Sequence, residues 1–75
     1  MLSRKQAIDQ AIGRVDINQK DLSIRVGMSP PTLSKKLHNP KLFTALELER
    51  LNVVLRFRTD EMIAIVRGNN NDIDK

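Results

Sequence analysis

Apolar residues recur along this chain at helical rather than alternating spacing, in five stretches separated by capping residues. Ala7, Ile8, Ala11 and Ile12 fall on one side of a helix that Ser3 caps, and Gln6 completes a capping box three residues on. That helix is expected to end near Gly13 or shortly beyond it. Asn18 caps a second helix, with Asp21 at its third position and Ile17 placed to staple onto Leu22. Gly27 ends it, because the left-handed backbone of a helix terminus favours glycine. Ser29 then caps a third helix, with Pro30 at the first position, where a missing N–H costs nothing. Pro31 is tolerable next to it, since its N–H would also lack a partner within the helix. Met28 can staple onto Leu33, and Asn39-Pro40 closes the helix after His38.

Thr44 and Glu47 form a capping box for a fourth helix, with Phe43 and Leu48 as its staple. Leu48, Leu51 and Leu55 share one face of it, flanked by Val54 and Phe57. Thr59, followed by Asp60 and Glu61, marks a fifth start, with acids where the helix dipole favours them. Met62, Ile63, Ile65 and Val66 follow, and Gly68 is expected to stop the run. The β-branched residues of that stretch would also suit a strand; the agreement of caps and spacing favours a helix. The polar residues 69–75 read as a disordered tail, which leaves one domain over residues 1–68.

Composition narrows how such a domain can be held together. At 75 residues the core is only just sufficient, and there is no cysteine for a disulfide. The single histidine, His38, cannot make a metal site without partners. Helix packing must therefore carry the fold, with dimerisation as a further source of buried surface. The residues 62–66 have two readings here: they close the core, or Met62, Ile63, Ile65 and Val66 form a homodimer or partner surface. No signal peptide is read at the start of the chain, and no run approaches the roughly 20 apolar residues of a membrane span. A cytoplasmic protein with no membrane partner is the expectation.

Charge and chemistry point away from catalysis. There is no cysteine nucleophile and no glycine-rich phosphate loop, and His38 has no obvious acid partner in sequence. The reading is a non-enzyme without cofactor, metal or catalytic residues. Of the net charge of +4, an equal amount is concentrated in residues 19–43, where Lys20, Arg25, Lys35, Lys36 and Lys41 face one acid, Asp21. Such a segment is either a solvated basic face or a nucleic-acid footprint. With Tyr and Trp absent and Phe present twice, stacking platforms for single strands are disfavoured.

The stretch QKDLSIRVGMSPPTLSKKL, residues 19–37, decides between these. Leu22 and Val26 line the inner face of one short helix and Leu33 and Leu37 that of the next, with small Ser23 where the two would cross. This pattern resembles the helix-turn-helix of the phage Cro and phage repressor family, also called XRE-like regulators. The Asn-Gln start, the small residue at Ser23, the Val-Gly turn, the serine cap and Leu33 carry the likeness. The resemblance implies an all-α, five-helix, lambda-repressor-like domain covering nearly the whole chain, with the helix-turn-helix at helices 2 and 3. It implies a transcription regulator of a phage in a bacterial host cell, commonly dimeric, with the third helix in the major groove of double-stranded DNA.

Under that resemblance, base contacts fall to Ser29, Pro31, Thr32 and Lys35, and phosphate contacts to Gln19, Ser34, Lys36 and Lys41. The family often places long polar side chains where Pro30 and Pro31 stand, and proline offers only apolar contact, for instance to a thymine methyl. The prolines motivate a second reading: an antirepressor or modulator that uses the same scaffold to bind a phage repressor protein. A third reading, the antidote of a toxin–antitoxin pair, requires a toxin-binding extension longer than this short polar tail.

Overall fold

A computed structural model describes the backbone of residues 2–73 and the side chains of residues 2–67. It has five α-helices: α1 (Arg4–Val15), α2 (Gln19–Val26), α3 (Pro30–His38), α4 (Ala45–Leu55) and α5 (Thr59–Ile73). A 3-10 turn, Pro40–Leu42, joins α3 to α4. No strand occurs among the described residues, so the β-branched residues of the last element are helical.

The caps act as their chemistry requires. Ser3 and Thr44 complete reciprocal capping boxes with Gln6 and Glu47, satisfying backbone N–H groups that would otherwise be orphaned. Asn18 Oδ1 accepts from the Asp21 N–H at 2.8 Å, and Gly27 ends α2 in the left-handed region at φ 76°. The first helix ends shortly beyond Gly13, as expected, and closes at Asp16 with φ 59°, a conformation a short polar side chain tolerates. One end differs from the sequence reading. The fifth helix passes Gly68, where no proline blocks it, and continues to Ile73. The proposed polar tail over 69–75 lies outside the residues whose side chains are described.

Every helix contributes to one core. Ala7, Ile8 and Ala11 from α1 meet Leu22 and Val26 from α2, Leu33 from α3, Leu51 and Leu55 from α4, and Ala64 and Ile65 from α5. Ile17, Met28 and Leu48, the expected staples, are half-buried against it. Ser23 is buried as the α2–α3 crossing demands, and its hydroxyl donates to the Lys20 carbonyl at 2.7 Å.

Polar groups seal α1 to α5. Glu61 is fully buried and accepts from Arg14 Nη2 at 2.8 Å, from Gln10 Nε2 at 2.7 Å and from the Arg58 N–H at 2.8 Å. The Arg14 hydrogen bonds, outweighing the cost of burial, hold its carboxyl down to about 2. At the other end of α1, buried Arg4 donates from Nε and Nη2 to the Ile65 carbonyl at 3.0 and 2.7 Å.

Candidate nucleic-acid interface

The turn between α2 and α3 is built from Gly27, Met28 and the Ser29 cap, and it sets the surface that α3 presents. Leu33 is buried and Leu37 half-buried, so the opposite side of α3 faces outward. Pro31, Lys35 and His38 follow one another there at helical spacing, with Thr32 beside them, and all are exposed. No ion pair engages Lys35 among the described residues. His38 was not singled out from sequence as part of this face, although its place seven residues after Pro31 was the available signal. Its Nδ1 lies 2.8 Å from the Ser34 carbonyl, which turns Nε2 away from that bond.

The two helix starts offer different chemistry. At α3, Pro30 and Pro31 have no N–H, the Thr32 N–H points to Ser29 Oγ at 3.4 Å, and the Leu33 N–H donates to the Ser29 carbonyl. The first turn of α3 leaves no N–H over for an anion. Ser29 Oγ also donates to Thr32 Oγ1 at 2.8 Å, so the Thr32 hydroxyl hydrogen is the one free to point outward. At α2, the Asp21 and Leu22 N–H groups are taken by Asn18, while those of Gln19 and Lys20 have no partner among the described residues. Free N–H groups, the positive end of the helix and the Lys20 ammonium together favour an anion there. Lys20 adds to the residues chosen from sequence, its signal being the basic side chain next to Gln19.

The remaining candidates separate. Lys41 is exposed on the 3-10 turn directly after α3. Ser34 is half-buried at the edge of the outward face. Lys36 lies on the other flank, half-buried, with Nζ 2.7 Å from each oxygen of Glu47. That hydrogen bond, with the Thr44 N–H behind it, holds the Glu47 carboxyl below its ordinary range. Lys36 therefore ties α3 to the start of α4, and a phosphate would have to compete with Glu47 for it. Of the expected partner surface on α5, Ile65 is core at 3 % exposure and Met62 is half-buried, because that side of the helix packs on α1. Ile63 and Val66 alone of the four stand exposed.

Comparison with protein-family models, with curated proteins and with solved structures finds no match to this chain. No helix among the described residues is long and apolar enough to cross a membrane.

Proposed function

We propose that this chain is a sequence-specific, double-stranded-DNA-binding transcription regulator of the phage Cro and repressor type. The observation that carries the reading is the outward face of α3: Pro31, Thr32, Lys35 and His38 stand exposed on it without an acidic residue. In this reading α3 enters the major groove, where Lys35 donates to guanine O6 or N7 and the Thr32 hydroxyl reads a neighbouring base edge. The ring of Pro31 meets a thymine methyl. Gln19, Lys20 and Lys41 hold phosphates on either side, with Ser34 at the edge, and set the register of α3 on the duplex. Repression follows when the bound domain covers a promoter and excludes polymerase.

Amide-resolved NMR with a mixed-sequence duplex, at low and then moderate salt, tests this. Shifts centred on residues 19–41 and fading with salt are expected, and an unshifted spectrum at low salt would remove the reading. Within a found operator, Lys35→Ala should relax discrimination at one base pair by about 1–3 kcal/mol. Lys41→Ala should lower the salt slope by about one unit without changing sequence preference, and Lys36→Ala should lower it less, since Glu47 already holds that ammonium.

A second reading has its own support. The first turn of α3 offers two proline rings and no spare N–H, a surface suited to an apolar protein groove. It makes the chain a modulator that occupies a phage repressor. Failure to bind DNA, together with a stable complex with a phage repressor protein, would favour this reading over the first.

A further inference from the structure

Helix α4 buries Leu51 and Leu55 and turns a different row outward: Leu46, Glu49, Arg50 and Val53, spaced as one face of a helix. Leu46 is 55 % and Val53 72 % exposed, and the two stand two helical turns apart on the same face. The row has an apolar residue at each end and an acid beside a base at its centre. Reversed end to end, it complements itself. A second α4 laid antiparallel, about a two-fold axis between positions 49 and 50, sets Leu46 on Val53 of the other copy twice over. The same operation sets Glu49 opposite Arg50 of the other copy, again twice. A parallel alignment would instead oppose like charges.

The charged pair is available for this. Glu49 makes no ion pair among the described residues. Arg50 reaches only the Val26 carbonyl, at 3.5 Å, the long limit of a hydrogen bond. The row also continues into the α4–α5 groove of about 370 Å³, lined by Ala45, Leu48, Phe57, Met62 and Val66. That continuity matters, because a stable interface buries about 1,200–2,000 Å² in total, more than one helical row supplies. We propose that α4 is a self-association face, and that two copies of this chain pair through antiparallel α4 helices along Leu46, Glu49, Arg50 and Val53. The proposal moves the dimer surface off the mostly buried row on α5, and it stands whether or not the chain binds DNA.

Sedimentation equilibrium of the full chain over a range of concentrations provides the test, with circular dichroism to confirm that each surface variant folds. A monomer–dimer equilibrium is expected, and Val53→Asp should abolish it. Glu49→Arg and Arg50→Glu should each weaken the dimer about tenfold, since two attractive pairs become repulsive. The double variant E49R/R50E should recover the parent affinity, and an equimolar mixture of the two single variants should form a heterodimer tighter than either homodimer. A chain that stays monomeric at every concentration would overturn the proposal. So would a dimer that survives Val53→Asp and the charge reversals but is lost with Ile63→Asp, which would put the interface on α5.

Discussion

Gly13 and Gly27 show how the same residue type acts in opposite senses at two positions. Gly13 is exposed inside α1, and a Cβ added there meets nothing within 4 Å. Gly27 closes α2 at φ 76°, and a Cβ there would stand 3.2 Å from Arg50 Nη1, the tip of a flexible side chain. Gly13→Ala should therefore raise stability by about 0.5–1 kcal/mol, through the lost freedom of the unfolded chain. Gly27→Ala should lower it by about 1–2 kcal/mol, mostly backbone strain, because Arg50 can move aside. Urea unfolding of the two variants against the parent checks both signs, and equal effects would contradict the assignment of Gly27 as the obligatory turn.

At the level of elements, the caps divide stability from recognition. Glu47 completes the capping box at Thr44 and also holds Lys36, so the start of α4 and the flank of α3 are stabilised by one carboxylate. Thr44→Ala should cost about 1 kcal/mol of stability and leave ligand binding untouched. Ser29→Ala should cost a similar amount of about 1 kcal/mol by uncapping α3, but it also frees the Thr32 hydroxyl from its donor. If α3 reads DNA, that variant changes affinity by more than its stability loss explains. Thermal melts paired with binding isotherms separate the two effects.

The whole molecule is closed by the pairing of α1 with α5, and that closure depends on charge. Glu61 sits at about 2 in the folded protein, below its ordinary value of 4.5, so its contribution is complete above the unfolded value and is lost as pH falls toward 2. The loss should be on the order of 2–3 kcal/mol between about pH 5 and pH 2, for one buried carboxylate shifted this far. Glu47, also lowered by its lysine, adds to the same acid limb. Glu61→Gln should destabilise the protein at neutral pH and flatten its stability curve across that window. Denaturant midpoints measured from pH 7 to pH 2.5 check it; a parent curve flat over that range would mean that Glu61 is no better held folded than unfolded.

Helix existence and most helix bounds could be read in the sequence because the interactions that set them lie within one turn of the chain. Ser3, Asn18, Ser29 and Thr44 each bond a backbone group three residues away, so the residues that define a terminus are adjacent in sequence. The outward face of α3 was legible for the same reason: once Leu33 turns inward, the positions of Pro31, Thr32 and Lys35 follow from helical geometry. What only the tertiary structure decided depends on partners brought together from separate elements. Asp60 and Glu61 look alike as two acids at a helix start, yet Glu61 is buried against Gln10 and Arg14, 51 and 47 residues away. Lys36 reads from sequence as a lysine open to a phosphate, and only the fold brings Glu47, 11 residues on, against it as a competitor. Ile65 reads from sequence either as core or as partner surface, and its burial against α1 decides for the core, because hydrophobicity tells which residues seek burial and not which neighbour, in the same domain or in another copy, provides it.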